Sequence, residues 1–150
     1  MVKMGRIANS VVLELANDIS AIEHAVDHFV QRLHGSCRDR RRLLLNFRVG
    51  LTEALSNAML YGNADDPQKV VRVELRIEAG DLRVQVTDQG AGFDPRRVPD
   101  PRTPKNVGKA GGRGIFIMRA MMDEVHFNAS GNSVTLVLRE ITERESAEPR

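Results

Sequence analysis

The sequence has little of what several classes of protein require. Among its 150 residues there is one cysteine, Cys37, which excludes an internal disulfide and a metal site built from several cysteines. There is no tryptophan, and aromatic residues make up 4% of the chain, so the stacking surfaces that hold single-stranded nucleic acid are not available. The formal net charge is only +2, which argues against nucleic acid as a partner.

Long apolar runs are also missing. No stretch approaches the roughly 20 apolar residues of a transmembrane helix, and Glu14, Asn17 and Asp18 break any apolar core of a signal peptide. We therefore expect a cytoplasmic protein that does not enter a membrane. The length fits a single domain over residues 1–150. We expect its core to cover about 8–139 and its charged C-terminal tail, 140–150, to be frayed.

What the sequence does contain is a succession of regular apolar patterns. Apolar residues at helical spacing predict a helix over 18–33 and a second one over about 40–61, which Gly62 would end. Ser20 together with Glu23 would cap the first helix, although Asp18 is an equal alternative. Alternation of apolar and polar residues predicts strands at 10–15, 71–77, 82–87 and 134–138, the last of which forms a hairpin with 125–128.

The most informative stretch is Asp88-Gln89-Gly90-Ala91-Gly92, directly after the strand 82–87. Side chains of a strand alternate between its two faces, so Asp88 falls on the apolar face of that strand. A carboxylate that heads into a core is costly unless it is hydrogen-bonded, and the two glycines would let a ligand approach closely. The stretch predicts a site for a polar ring such as a purine. A tight turn, in which the aspartate caps its own backbone, is the alternative.

Two other groups of residues accompany this stretch. Glu53 and Asn57 are four residues apart on the second predicted helix, so they lie one turn above each other; a solvated helix face is the alternative. The cluster at 111–114, Gly-Gly-Arg-Gly, opens a third predicted helix. Free backbone N–H groups and the helix dipole favour an anion there, and a flexible hinge would be compatible with this. The intervening loop, 95–110, is long enough to be functional.

Taken in order along the chain, these three groups resemble the GHKL ATPase superfamily. The runs 53–58 and 114–125 are similar to the anti-sigma-factor serine kinases of bacterial partner switching, and the resemblance covers roughly 8–139. It implies an α/β two-layer sandwich, with a mixed, mostly antiparallel sheet and helices on one face. The motifs that identify the superfamily are Glu53-x-x-x-Asn57, Asp88-x-Gly90-x-Gly92 and Gly112-x-Gly114.

The resemblance also implies a role for each site residue. Asn57 would bind the Mg²⁺ that bridges the phosphates of ATP, and Glu53 would be the general base. Asp88 would accept a hydrogen bond from the adenine amino group. Gly90 and Gly92 would give the base and the ribose room.

The phosphates would be held by the glycine cluster. Gly112 and Gly114 would cradle them, and Arg113 is one candidate for the cation that reaches the terminal phosphate. Ser133 and Thr135 are alternatives for a hydroxyl beside the adenine. The other candidates for the phosphate-binding cation are Arg96, Arg97, Arg102, Lys105 and Lys109.

The activity that the resemblance implies is that of an ATP-dependent serine/threonine-protein kinase. Such a protein binds a sigma factor and phosphorylates a serine on a small antagonist protein, and we expect it to be a homodimer. Two other functions stay open. One is a nucleotide-binding interaction module without kinase activity, and the other is the detached ATP domain of a histidine kinase.

Overall fold

The structure, a computed structural model, describes residues 2–7, 10–92 and 112–142, with the backbone alone for 2–7. Its strands form one six-stranded sheet in the order β1-β2-β3-β4-β6-β5. Every pairing between these strands is antiparallel. The strands are β1 (Val2–Ile7), β2 (Ser10–Ala16), β3 (Val70–Glu78), β4 (Asp81–Thr87), β5 (Glu124–Phe127) and β6 (Ser133–Leu138).

Within the described residues the sheet is accompanied by three α-helices: α1 (Ile22–His34), α2 (Arg48–Asn57) and α3 (Gly112–Met121). The helix α2 is the middle of a longer helical run, which is π-helical before it and after it. In the second π-helical segment the N–H of Asn63 donates to the carbonyl of Ala58 at 2.7 Å, five residues back. The two π-helical segments are Arg42–Phe47 and Ala58–Gly62.

The hydrophobic core lies between the helices and one face of the sheet. Every second residue of β4 is buried, and in β3 the same spacing buries Val71, Val73 and Leu75, while the residues between them are exposed or half-buried. Apolar side chains of α1 and of the long helical run fill the space over that face, with Phe29, Phe47 and Leu55 fully buried. Each such side chain contributes about 1.5–3 kcal/mol by leaving water. The predicted α/β two-layer sandwich is confirmed, and the sheet is antiparallel throughout its described strands rather than mixed.

The chain enters the first helix through a cap made by Asp18. Its Oδ1 accepts hydrogen bonds from the backbone N–H of Ser20 at 2.9 Å and from the Ser20 hydroxyl at 2.7 Å. These hydrogen bonds lower the pKa of the Asp18 carboxyl. Of the two caps that the sequence allows, Asp18 is therefore the one that forms. A 3-10 turn over Ile19–Ala21 leads from it into α1.

The hairpin between β3 and β4 determines which way Asp88 points. Its two turn residues, Ala79 and Gly80, have φ angles of 50° and 85°, which is the left-handed pair that a two-residue hairpin turn needs. Glu78 is thereby paired with Asp81, and the register continues to the end of β4. Val86 faces the core, so Asp88, two residues later, lies on the same side of the sheet. The predicted placement of Asp88 is confirmed.

The core extends further along the chain than we expected. Ile141 is 1% exposed, and its carbonyl accepts from the N–H of Arg38 at 2.9 Å. The N–H of Thr142 donates to the carbonyl of Gly80 at 3.1 Å. These two residues close the end of the sheet that carries the β3–β4 turn, so the chain stays packed to at least Thr142, and the domain bounds of about 8–139 stay a prediction. The rest of the predicted tail, 143–150, lies outside the described residues.

One edge strand of the sheet is β1. A second copy could add a strand there, and the expected homodimer stays a prediction. Among the described residues no helix is both long and apolar enough to cross a membrane.

Candidate functional site

The helix α2 presents Glu53 and Asn57 on one flank, each half-buried, while its opposite flank is fixed in the core by Leu51 and Leu55. The side-chain oxygen of Asn57 is buried and has no hydrogen-bond partner within the described part of the chain. Leaving a buried acceptor unsatisfied costs about 1–3 kcal/mol, and such groups are rare in native proteins. The site therefore contains an acceptor that a cation or a donor from a ligand would satisfy.

Glu53 lies where α2 meets the first turn of α3. A Cβ placed on Gly114 would be 3.3 Å from Oε2 of Glu53, so the carboxylate is almost in contact with the backbone of that turn. Burial raises the pKa of the Glu53 carboxyl. Gly112 is buried and Arg113 is exposed. The structure thus brings the predicted base, the predicted metal-binding residue and the glycine-rich start of α3 together.

Asp88 lies at the end of β4 and is 9% exposed. Its Oδ1 accepts a hydrogen bond from the N–H of Gly90 at 2.8 Å, so the aspartate does cap its own turn. The other oxygen, Oδ2, has no donor among the described residues. Burial raises the pKa of the Asp88 carboxyl, against the opposite effect of the Gly90 hydrogen bond. One oxygen therefore fixes the turn, and the other is an acceptor without a donor in the described part of the chain.

Gly62, at the end of the long helical run, makes a contact with Asp88 that the sequence does not predict. A Cβ on Gly62 would lie 2.1 Å from Oδ2 of Asp88. Any side chain at this position would therefore displace the carboxylate. The sequence predicts that Gly62 ends the helix and predicts no contact between it and Asp88. A glycine after a helix is explained by capping alone, so the sequence holds no sign of this contact.

The glycines of the Asp88 turn are required by neighbouring backbone. A Cβ on Gly90 would meet the carbonyl oxygen of Gly62 at 1.7 Å, and one on Gly92 would meet that of Ser130 at the same distance. Gly92 also has a φ of 82°, which residues with a Cβ rarely adopt. Their absent side chains thus allow the turn to pack against two other parts of the chain. That Gly90 and Gly92 also give the adenine base and the ribose room stays a prediction.

The two candidate hydroxyls for the adenine side lie on the face of the sheet opposite to Asp88. Ser133 pairs with Thr87 across β4 and β6, and Thr135 pairs with Gln85. These positions alternate with those that face the core, so both side chains project away from Asp88. The Ser133 hydroxyl is instead 2.8 Å from the hydroxyl of Thr87. The candidate cations between 96 and 109 lie outside the described residues.

Comparison with known proteins agrees with this geometry. Residues 13–138 match the histidine kinase-like ATPase domain, and this match includes Glu53, Asn57, Asp88 and the start of α3. The chain belongs to the histidine kinase-like ATPase domain family. The predicted superfamily is therefore confirmed.

Several named proteins are similar to this chain. "Serine-protein kinase RsbW" of Oceanobacillus iheyensis is 24% identical over 106 residues, which cover 67% of each chain. "Anti-sigma F factor" of Geobacillus thermodenitrificans is 32% identical over 97 residues, which cover 63% of this chain and 66% of the relative. "Serine-protein kinase RsbW" of Listeria innocua is 24% identical over 109 residues, or 69% of each chain. The chain thus spans about two thirds of the length of these relatives.

The contact between Gly62 and Asp88 can be tested with two alanine variants. Gly62→Ala should displace the Asp88 carboxylate and weaken ATP binding by about tenfold or more, the equivalent of one lost hydrogen bond to a buried acid. Gly35→Ala is the matched control, because a Cβ there has nothing within 4 Å. Calorimetric titration with ATP measures both. Wild-type affinity in Gly62→Ala would show that this contact does not position the acid.

Proposed function

We propose that the chain is an ATP-dependent serine/threonine-protein kinase that binds a sigma factor and phosphorylates a serine on a small antagonist protein. The main support is the half-buried Glu53 carboxylate, which lies beside Gly114 at the start of α3 and one helical turn from Asn57. A base, a metal-binding group and an anion-binding helix start in one place are what phosphoryl transfer requires. The names of the relatives, serine-protein kinase and anti-sigma F factor, support the same activity and partners.

The residues of the site fit Mg²⁺. The side-chain oxygen of Asn57 is buried without a partner among the described residues, and a neutral amide oxygen is a hard ligand of the kind that Mg²⁺ accepts, together with waters and phosphate oxygens. Asn57 would hold the ion. When bound, Mg²⁺ neutralises charge on the phosphates.

The other residues of the site would position the phosphates and deprotonate the acceptor serine. The backbone N–H groups at Gly112 and Gly114 would bind the phosphates at the start of α3, with Arg113 exposed on the same turn. Glu53 would accept the proton of the acceptor serine as the serine oxygen bonds to the terminal phosphorus and the bond from that phosphorus to ADP breaks. Because burial raises its pKa, the Glu53 carboxylate is a stronger base than an exposed glutamate.

The adenine would lie against Asp88. The Oδ2 atom has no donor among the described residues, while Oδ1 is held by Gly90, so Oδ2 would accept from the exocyclic amino group of adenine. Guanine has a carbonyl oxygen at that position, and two acceptors would then face each other without a proton between them. Asp88 would therefore favour ATP over GTP.

The role of Asn57 predicts a variant that loses the metal effect without losing stability. Asn57→Ala should abolish the tightening of ATP binding by Mg²⁺ and leave the urea midpoint unchanged or higher, because the oxygen that it removes has no partner in the described structure. Asn46→Ala is the control: its Nδ2 donates to the carbonyl of Met121 at 2.8 Å, so it should lose about 1 kcal/mol of stability and keep the Mg²⁺ effect. An unchanged Mg²⁺ dependence in Asn57→Ala would exclude Asn57 as the ligand.

The role of Asp88 predicts a change in base preference. Asp88→Asn should weaken ATP binding by about tenfold to a hundredfold, the equivalent of about 1–3 kcal/mol for a mismatched buried hydrogen bond, and should affect GTP far less. An amide oxygen can still accept from Gly90, and burial disfavours the ionised acid, so the urea midpoint at neutral pH should not fall. Calorimetry with both nucleotides is the measurement. Equal ATP affinity in the variant and the wild type would rule out the adenine assignment.

The role of Glu53 distinguishes a kinase from a binding module. Glu53→Gln should bind Mg-ATP within a few-fold of wild type, and its transfer rate to the serine-bearing partner should fall by about a hundredfold or more. The measurement is single-turnover transfer of labelled terminal phosphate to the antagonist that copurifies from the native host. The wild-type rate should rise with pH through the raised pKa of Glu53 and then level off, and this rise should be absent from the variant.

Two results would contradict this proposal. Undiminished transfer by Glu53→Gln would exclude Glu53 as the base, with Glu23→Gln, an exposed position on α1, as the control for a change of surface charge. No transfer by the wild type to any copurifying partner, with ATP binding intact, would favour an interaction module without kinase activity.

A further inference from the structure

Asn63, which directly follows the long helical run, is completely buried, with 0% of its surface exposed. Both atoms of its side-chain amide are hydrogen-bonded. The Oδ1 atom accepts from the N–H of Gln89 at 2.7 Å. The Nδ2 atom donates to the carbonyl of Val70 at 3.0 Å and to Oδ1 of Asn17 at 3.1 Å. A buried amide in such a network holds its neighbours in one arrangement, because each bond it lost would leave a buried group unpaired.

The bond to Gln89 places this network beside the adenine site. Gln89 is the residue after Asp88, and its N–H, held by Asn63, lies between the Asp88 backbone and the Gly90 N–H that caps the Asp88 carboxylate. The Gln89 side chain adds a second tie, because its Oε1 accepts from the N–H of Val70 at 2.8 Å. Gln89 is therefore held through its backbone N–H and through its side chain, which fixes the turn that carries Asp88.

The same network joins the two halves of the site. Asn63 follows Gly62, whose Cα lies against the Asp88 carboxylate, and both belong to the chain segment that continues from Asn57. We infer that Asn63 is a positioning residue for Asp88, and that its hydrogen bond to the N–H of Gln89 determines how strongly the site prefers adenine to a purine without the amino group. This inference rests on the proposed role of Asp88 in binding adenine.

Asn17 provides a matched control within the same network. Its Nδ2 donates to the carbonyls of Met59 at 3.2 Å and Asp66 at 3.0 Å, and its Oδ1 accepts from Asn63. Asn17 is also buried, but it makes no hydrogen bond to Gln89. Loss of Asn17 should therefore lower stability through the network and leave the Asp88 turn in place.

The experiment compares the affinities for ATP and for inosine triphosphate, which has an oxygen in place of the adenine amino group. Calorimetry on the wild type, Asn63→Ala, Asn17→Ala and Asn63→Asp gives the ratio of the two affinities, and urea denaturation gives the stability of each. We expect the ratio to fall by about tenfold in Asn63→Ala, as for one lost buried hydrogen bond, and to stay within about twofold in Asn17→Ala. Asn63→Asp keeps an oxygen for the Gln89 N–H and should keep the ratio even where its stability falls.

Hydrogen exchange of the wild type tests the same bond without a variant. The Gln89 amide should be as protected as the core amides of β4 before nucleotide is added, and rapid exchange there would overturn the inference. An unchanged ratio in Asn63→Ala, or an equal fall in Asn17→Ala, would overturn it as well. If the wild type itself does not distinguish the two nucleotides, the adenine role of Asp88 fails, and the inference fails with it. If the wild type distinguishes them and Asn63→Ala does so equally, the positioning role alone fails.

Discussion

The contact on which the site depends is that between the buried carboxylate of Asp88 and the backbone of Gly62. It joins the end of a core strand to the end of the helical run that carries Glu53 and Asn57. The hydrogen bond from the N–H of Gln89 to Asn63 links the same two segments one residue further along each. The close approach of the two segments also explains the glycine at position 90, because a Cβ there would collide with the carbonyl oxygen of Gly62.

This arrangement buries several polar groups without giving them all of the hydrogen bonds that they could make. Burial raises the pKa of both Asp88 and Glu53, and the oxygen of Asn57 has no partner in the described structure. A carboxyl whose folded pKa is raised binds its proton more tightly in the folded chain. Its contribution to stability is therefore present below the ordinary pKa and is lost as the pH rises through the raised value. At neutral pH the site destabilises the free protein, as expected of a surface organised to bind a ligand.

The sequence predicts those features that depend on local spacing. Alternation along β4 places Asp88 on the core face, and a separation of four residues places Glu53 and Asn57 on one helix flank. It does not predict contacts between distant parts of the chain. The burial of Asn63 depends on partners at positions 17, 70 and 89, and that of Ile141 depends on the β3–β4 turn.

The register between β4 and β6 is another feature that the sequence alone did not provide. A shift of one residue would exchange the two faces of β6, so the sequence left Ser133 and Thr135 open. The pairing of Ser133 with Thr87 places both away from the acid.

The π-helical end of the long run has a consequence for how this protein can vary. A π-helical turn contains one residue more than an α-helical turn, and here it lies between Asn57 and Gly62. Removing one residue from it would restore a regular helix, and the segment beyond would rotate by about 100° around the helix axis. Glu53 and Asn57 would stay where they are, while Gly62 and Asn63 would turn away from the Asp88 loop. The number of residues in this segment is thus constrained in addition to the identity of Gly62, and members of the family that keep both ends of the site should not tolerate insertions or deletions there.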